Sequence, residues 1–393
     1  MKYFFVLGTN CALSVAELQA VLNLTKVQLV APDFLLWETD HEINPEKLIN
    51  SLGGIIKIGL IKKELAQSTD QQLLAAIIEE AASKKSQSKE GKFNFGFSDY
   101  GEKKFNKKFL GLELKKYFSN QEISSRFVVS QEKTLSSVVV AQNKLLTRGL
   151  EIILAEHSGV TLIGETLAVQ PFKDLSRRDF GRPARDDFSG MLPPKLAQIM
   201  INLAQAQQVD GLLVDPFCGS GTILSEALLA GYKNLFGSDI ALKAIEDTRK
   251  NISWLKELYK IEGFHLKLLV KNVVYLSKFI KNDSVVAIIT EPYLGPQRGN
   301  LDFKLVIGEL ERLYSAALRE FYKVLQPGGR VVMVWPVYLG QKSLNPDYSN
   351  FKLVNLFPDS LDGHQYIKKT DRGTIIYGRV GQKVFREIVV LEK

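Results

Sequence analysis

Two carboxylates and two glycines are spaced in a way that could bind a nucleotide-like ligand. Asp215 ends a short apolar run and opens the sequence Asp-Pro-Phe-Cys-Gly-Ser-Gly-Thr at residues 215–222, which we call the glycine-rich turn. Its glycines, Gly219 and Gly221, let the backbone approach a ligand, and a helix starting there directs unpaired amides at it. Asp239 closes the next predicted strand, where a carboxylate can accept hydrogen bonds from a ribose diol. These residues predict a ligand-binding junction between strand and helix.

The spacing of the glycines in this turn limits the classes of ligand that it could bind. The turn lacks the Gly-x-Gly-x-x-Gly pattern of dinucleotide sites and the Gly-Lys-Thr of phosphate-binding loops, which disfavours NAD and ATP. A second polar segment, Thr-Glu-Pro-Tyr-Leu-Gly-Pro at residues 290–296, follows a later apolar run, and we call it the acceptor segment. Glu291 can accept hydrogen bonds there, and Tyr293 can stack on a planar group. The alternative is that the glycine-rich turn only joins a strand to a helix.

Alternating strands and helices surround these residues in the second half of the chain. Strands are predicted at 212–215, 235–239, 266–270, 285–290 and 330–335, with helices at 194–207, 223–230, 241–259 and 305–325. This alternation predicts a mostly parallel, doubly wound sheet of the α/β class. Late strands at 351–357, 374–377 and 384–391 could include an antiparallel member.

The first half predicts an α+β region. Its first 52 residues follow a strand-helix-strand-strand-helix order, with Ser14 and Glu17 in the spacing of a capping box at the start of the first helix. A helix is predicted at 70–82, and strands are predicted at 55–60, 92–97, 126–130, 137–141, 151–155 and 160–168. Such a mixture indicates a sheet with helices packed against it.

Positive charge is concentrated in one part of this region. The chain carries a formal net charge of +8, and residues 84–126 alone contain 11 basic and 5 acidic side chains. The lysines that alternate with aromatic residues are Lys103, Lys104, Lys107 and Lys108. They predict either an ordinary solvated face or a surface that neutralises phosphates of a nucleic acid.

Regular patterns stop at residues 170–192, which we interpret as an ordered linker. It contains four arginines: Arg177, Arg178, Arg182 and Arg185. Arginine can bind phosphate through two parallel hydrogen bonds, so we predict that Arg178, Arg182 and Arg185 bind RNA. Pairing with nearby acidic residues is the alternative.

Composition limits the class of protein. With 393 residues and 45% hydrophobic content, the chain can bury substantial cores, and the absence of a long apolar run predicts a soluble, cytoplasmic protein without membrane association. The two cysteines are far apart and the four histidines show no ligand spacing, so we expect neither a disulfide nor a metal site.

Residues 215–222 resemble the cofactor turn of S-adenosylmethionine-dependent methyltransferases that modify exocyclic amines of bases. The resemblance implies a Rossmann-like domain that binds S-adenosylmethionine. Asp215 would lie near the methionine amino group, the glycines would leave room for the cofactor, and Asp239 would hold its ribose. The full set of cofactor-binding residues implied in this way is Asp215, Pro216, Phe217, Gly219, Gly221, Thr222, Asp239, Ile240 and Asn272.

The acceptor segment departs from that family's Asp/Asn-Pro-Pro-Tyr/Phe pattern. Here the sequence is Glu291-Pro292-Tyr293, with a longer acid and one proline fewer. The resemblance implies that Glu291, Pro292 and Tyr293 form the catalytic site, in which polar groups accept hydrogen bonds from the target amine and the aromatic ring stacks on the base. Asn272 also replaces a common aspartate beside the adenine.

The amino-terminal stretch from Tyr3 to Leu18, the basic α+β region and the arginine-rich linker stand before this methyltransferase half. Together they resemble the THUMP-containing tRNA guanine N2-methyltransferases, which act at position ten of tRNA. The resemblance implies an α+β ferredoxin-like domain at 1–52, a THUMP-like RNA-binding domain at 53–169, the linker at 170–192 and the methyltransferase domain at 193–393. It implies tRNA as partner to a chain expected to be a monomer, with the need for a partner subunit left open. Two alternatives remain: the same chemistry on DNA or rRNA, and a tRNA-binding protein whose methyltransferase fold is inactive.

Overall fold

Two eight-stranded sheets organise the residues described by the computed structural model, which are 1–88, 91–185, 191–206, 209–296, 302–338, 343–378 and 381–393. The first sheet and its helices comprise β1 (Lys2–Leu7), α1 (Cys11–Leu22), β2 (Val27–Ala31), β3 (Phe34–Glu38), α2 (Pro45–Ser51), β4 (Ile55–Ala66), α3 (Asp70–Gln87), β5 (Phe93–Tyr100), α4 (Lys107–Asn120), β6 (Ser125–Val128), α5 (Ser137–Gln142), β7 (Gly149–His157) and β8 (Val160–Val169). Its strand order is β2-β3-β1-β4-β8-β7-β5-β6, so the segments predicted as separate domains at 1–52 and 53–169 share one sheet through β4.

The second part begins with α6 (Phe172–Phe180) inside the predicted linker, of which residues 186–190 lie outside the described ranges. It continues with α7 (Pro194–Leu203), β9 (Leu212–Asp215), α8 (Thr222–Leu229), β10 (Asn234–Asp239), α9 (Leu242–Tyr259), β11 (His265–Val270), β12 (Val285–Thr290), α10 (Phe303–Val324), β13 (Leu325–Tyr338), β14 (Lys352–Leu353), β15 (Ile375–Tyr377) and β16 (Val384–Glu392). Short 3₁₀ helices lie at Val273–Lys278 and Asp359–Leu361. Within the segment predicted as a strand at 351–357, the strand that forms is the two-residue β14, Lys352–Leu353.

Five parallel strands confirm the predicted doubly wound sheet. The order is β11-β10-β9-β12-β13-β16-β14, with β16 antiparallel to β13 and to β15. Apolar side chains of α7, α8 and α9 pack on one face and those of α10 pack on the other. Strand order reverses between β9 and β12, and ligands of such sheets bind in the crevice at this reversal.

The predicted capping box of the first helix is wrong. Asn10 is the N-cap, because its side chain accepts a hydrogen bond from the Leu13 amide at 3.0 Å. Ser14 and Glu17 lie inside the helix and are buried. The Glu17 carboxylate instead accepts hydrogen bonds from the amides of Gly53 and Gly54, at 2.8 and 2.7 Å. Glu17, which local spacing assigned to helix capping, therefore makes a tertiary contact instead.

The strand predicted at 137–141 is also wrong, because these residues form α5. The Ser136 side chain accepts a hydrogen bond from the Val139 amide at 3.3 Å and caps the helix. Valines at this position favour strands by propensity, but the preference is weak and packing overrides it. Val140 is fully buried in a small cluster with Leu135 and Leu145.

The two sheets are joined by helix packing and by a buried carboxylate. α1 and α7 contact each other, and their apolar residues belong to one continuous core. The Asn202 side chain at the end of α7 donates to Glu17 in α1 at 2.7 Å. Among the described residues, every helix is too short or too polar to cross a membrane.

Candidate active site

The glycine-rich turn connects β9 to α8 with two residues in the left-handed region. Gly219 and Gly221 have φ angles of 51° and 82°. A Cβ on Gly221 would lie 2.8 Å from the Thr248 side chain, whereas one on Gly219 would meet nothing within 4 Å. Because Gly221 is the N-cap of α8, no side chain at that position can cap the helix, and its first amides are available to an acceptor.

Asp215 ends β9 beneath this turn and is 1% exposed. Its Oδ1 accepts hydrogen bonds from the Thr290 hydroxyl at 2.7 Å and the Phe217 amide at 3.3 Å. The first of these bonds ties the carboxyl end of β9 to that of β12. Burial raises the pKa of the Asp215 carboxyl to about 7. A buried carboxyl with uncharged donors is suited to a cationic ligand group.

Asp239 ends β10 beside the turn. Its two carboxylate oxygens accept hydrogen bonds from the amides of Gly219, at 3.1 Å, and Ala241, at 2.9 Å. A carboxylate has about four lone-pair sites, so acceptor capacity is left for a diol. Asn272 follows β11, and its Oδ1 accepts from the Val274 amide at 3.1 Å. Both side chains thus occupy carboxyl ends of neighbouring strands.

Glu291 follows β12 and is ion-paired. Nε of Arg386, in β16, lies 2.5 Å from Glu291 Oε1, and the two side chains are 8% and 14% exposed. Burial raises the pKa of the Glu291 carboxyl, and the adjacent guanidinium opposes that rise. Arg386 was missed by the sequence reasoning. The available signal was a charged Arg-Glu pair inside the otherwise apolar run at 384–391.

The rest of the acceptor segment is fixed by two tyrosines. The hydroxyl of Tyr314, in α10, donates to the Tyr293 carbonyl at 2.8 Å, and the hydroxyl of Tyr338, in β13, donates to the Leu294 carbonyl. Pro292 is buried, while the Tyr293 side chain is 60% exposed. The segment therefore presents an accessible ring on an anchored backbone.

These groups surround a cavity of about 860 Å³. The predicted site residues that line it are Asp215, Pro216, Phe217, Gly219, Thr222, Asp239, Ile240, Asn272, Glu291, Pro292 and Tyr293. Gly221 lies behind the wall, against Thr248. Met191, Ser220 and Lys271 also line the cavity and were not predicted.

The arginines of the predicted linker hold the glycine-rich turn from outside. Arg178 Nε lies 2.7 Å from Glu226 Oε1, with the two side chains 7% and 2% exposed. Arg182 donates to the Thr222 hydroxyl and is also buried. Pairing inside the protein, one of the two alternatives, describes both residues, which are not placed to meet a phosphate at the surface. Arg185 is exposed and packs over the Phe180 ring.

The four lysines predicted for RNA binding differ in their surroundings. Lys107 lies 3.8 Å from the Asp99 carboxylate and donates to the Lys133 carbonyl. Lys103 packs over the Phe105 ring at 5.1 Å. Lys103, Lys104 and Lys108 are all exposed. Three of the four cations are thus presented to solvent.

Comparison with known proteins agrees with this geometry. Residues 182–345 match the family described as UPF0020, RMKL-like methyltransferase domain. The tRNA (guanine(10)-N2)-dimethyltransferases of Methanothermobacter thermautotrophicus and Pyrococcus abyssi are 32% and 30% identical to the chain, over 53% and 42% of its length. The alignments cover 52% and 43% of those two proteins, so the chain spans about half the length of the curated relatives it matches.

A further relative is the probable tRNA (guanine(10)-N2)-dimethyltransferase of Methanothermococcus thermolithotrophicus. It is 31% identical over 28% of this chain, and the alignment covers 67% of that protein. The chain belongs to the tRNA guanine N2-methyltransferase family. Its fold is similar to that of TrmN from Thermus thermophilus, with a TM-score of 0.53, 18% identity and 100% of both chains covered. Family membership confirms the methyltransferase resemblance drawn from the glycine-rich turn.

Proposed function

We propose that this protein transfers a methyl group from S-adenosylmethionine to the exocyclic N2 of a guanosine in tRNA. One observation supports this most: the carboxyl ends of β9 and β12 place Asp215 and Glu291 on the same cavity, joined through the Thr290 bond to Asp215. The Asp215 side of the cavity is suited to the cationic group of an amino acid moiety. The Glu291 side is suited to a hydrogen-bond donor on a planar ring that stacks on Tyr293. The names of the relatives support the same substrate.

The residues of the turn fit the cofactor. The amino group of its methionine moiety would provide the cation that buried Asp215 lacks among its hydrogen-bond donors. The first amides of α8 would hold the carboxylate, and Asp239 would accept from the ribose hydroxyls. Ile240 and Asn272 would flank the adenine. When bound, S-adenosylmethionine supplies a methyl group on a positively charged sulfur, which leaves as a neutral thioether.

The acceptor segment orients the target amine. The Glu291 carboxylate accepts a hydrogen bond from N2–H, so the nitrogen lone pair is directed at the methyl carbon, and the proton lost from nitrogen can pass to this carboxylate. Tyr293 provides the stacking surface for a guanine swung out of its stem. Such positioning supplies much of the rate because the methyl donor is already activated.

A surface on α4 and just before it supports RNA binding by the amino-terminal half, in the manner of a THUMP domain. Lys104 and Lys108 are exposed, and Phe109 and Leu112 beside them are 44% and 53% exposed. Cations beside apolar side chains can contact both the phosphates and the bases of unpaired nucleotides. The tRNA would lie across this surface while its target guanosine enters the cavity.

The test is transfer from isotopically labelled S-adenosylmethionine to bulk tRNA, rRNA and DNA, followed by nucleoside mass spectrometry. The proposed function predicts labelled N2-methylguanosine or N2,N2-dimethylguanosine from tRNA. It also predicts that Glu291→Ala loses most of this product while Glu291→Gln, which keeps an acceptor, retains part of it. Label in DNA or rRNA instead would favour the alternative substrates. Cofactor binding without any labelled nucleoside would favour the inactive tRNA-binding protein.

A further inference from the structure

Arg386 reaches the acceptor segment from a strand that contributes nothing else to the predicted site. β16 runs antiparallel to β13 with Arg386 opposite Pro336, and it is separated from β12 by β13. The guanidinium nevertheless lies 2.5 Å from Glu291 Oε1, in surroundings where both side chains are largely buried. Arginine in a buried pair stays charged and holds a carboxylate in a defined orientation.

We infer that Arg386 is a positioning residue that keeps the Glu291 carboxylate ionised and oriented toward the target amine. This role rests on the proposed function of Glu291 as the hydrogen-bond acceptor of that amine. Arg386 itself would not touch the substrate. It acts through Glu291, so its loss should matter only while Glu291 is present.

The surroundings of Glu291 make such a cation necessary. Burial disfavours the ionised Glu291 carboxyl, and Arg386 opposes that effect through its charge and its hydrogen bond. Glu291 in turn raises the pKa of the Asp215 carboxyl and of the Tyr314 hydroxyl. A protonated Glu291 would be a hydrogen-bond donor through its acidic proton. It would therefore be a poor acceptor of a hydrogen bond from the target amine.

The backbone around Glu291 is already restrained, which isolates the contribution of Arg386. Thr290 is tied to Asp215, and the carbonyls of Tyr293 and Leu294 are tied to Tyr314 and Tyr338. With the backbone held on both sides, the remaining conformational freedom of Glu291 is the rotation of its long side chain. The ion pair with Arg386 restricts that rotation. Misplacing a catalytic group by about 1 Å can cost roughly 100-fold in rate.

The first experiment needs no activity. The Glu291 carboxyl is titrated by ¹³C NMR in the wild type, Arg386→Gln and Arg386→Lys, with Glu291→Gln used to assign its resonance. We expect a higher Glu291 pKa in Arg386→Gln and a value near wild type in Arg386→Lys, which keeps the charge. The control is Arg330→Gln, because Arg330 in β13 forms a 3.0 Å pair with Glu392 in β16 and does not contact Glu291. An unmoved titration in Arg386→Gln would overturn the inference whether or not tRNA is methylated.

The second experiment measures methyl transfer to tRNA as a double-mutant cycle. Arg386→Gln should lower kcat by about 100-fold, move the acid limb of the pH profile to higher pH and leave cofactor affinity within about two-fold. In the Glu291→Gln background the same change should have less than about three-fold effect. Equal losses in both backgrounds would overturn the inference. A moved NMR titration with an inactive wild type would overturn the proposed function alone.

Discussion

Asp215 is the residue whose chemistry depends most on its surroundings. It is buried against Thr290 and Phe217, both uncharged donors, and burial raises the pKa of its carboxyl from 3.8 to about 7. A ligand amine would favour the ionised form. Proton release should therefore accompany cofactor binding in the range between these two values.

The sign of this linkage predicts that affinity falls in acid. S-adenosylhomocysteine carries the same amine and carboxylate, and its amine remains protonated at and below pH 7. Its association constant should drop about ten-fold between pH 7 and pH 5.5, because the protonated Asp215 must first ionise. Calorimetry in buffers of different ionisation enthalpy measures both the affinity and the proton release. Asp215→Asn should flatten the pH dependence, and an equally steep dependence in that variant would contradict the assignment.

At the scale of elements, α6 and the residues after it as far as Ala184 hold the glycine-rich turn in place, and we call this segment the latch. Arg178 pairs with Glu226 in α8, and Arg182 reaches Thr222 at the first residue of that helix. The Asn251 side chain bonds the Ala184 backbone at both its amide and carbonyl and also reaches the Ser220 carbonyl at 2.8 Å. The latch thus fixes the start of α8, where the cofactor carboxylate would lie.

Removing the Arg178–Glu226 pair of the latch should lower the free energy of unfolding. Arg178→Met leaves the Glu226 carboxylate buried without its partner, and we expect a loss of about 3–5 kcal/mol in the free energy of unfolding, measured by urea denaturation. The double variant Arg178→Met/Glu226→Leu should recover most of it. The control is Lys233→Met, which removes an exposed pair with Asp210 and should cost about 1 kcal/mol or less. Similar losses from Arg178→Met and Lys233→Met would show that the latch is not stabilising.

Strands and helices with a strong local sequence pattern could be predicted, whereas contacts between distant segments could not. The parallel strands ending at Asp215 and Thr290 carry apolar runs followed by acid and proline, and local pattern suffices to find them. Ser14 and Glu17 fit a capping box equally well, but Glu17 is used by Gly53 and Gly54 from a distant loop. Local spacing carries no information about such a contact.

The same limit applied to the site. The residues of the glycine-rich turn and of the acceptor segment were predictable because each set is contiguous in sequence. Arg386 lies 95 residues from Glu291, and their meeting depends on strand order. The arginines of α6 could be found from the sequence, but their pairing partner Glu226 lies 48 residues from Arg178. Contacts of this kind follow from topology and not from local pattern.

Under the proposed function, the whole molecule has to bring a tRNA to the cavity. Lys104 and Lys108 are exposed on and beside α4, whereas Lys107 is held by Asp99 and Lys133. Only cations free to approach phosphates should contribute to counterion release.

Lys104→Gln/Lys108→Gln should therefore lower the salt dependence of tRNA binding. We expect the slope of log K against log salt to become shallower by about 1–2, with the fold and the cofactor affinity unchanged. Fluorescence anisotropy at several salt concentrations measures it. The matched control is Lys47→Gln/Lys352→Gln, which removes two exposed lysines from other elements. Equal slopes for the two double variants would mean that α4 presents an ordinary solvated face.

Under the proposed function, the atom that receives the methyl group is N2 of a guanosine. The most direct measurement uses two otherwise identical tRNA transcripts, with guanosine or inosine at the position named in the family relatives, position 10. Inosine lacks the exocyclic amine and keeps the rest of the base. We predict methylated N2 in the guanosine transcript and no label in the inosine transcript. Equal labelling of the inosine transcript would contradict the assignment of Glu291 and Tyr293 to a guanine amine.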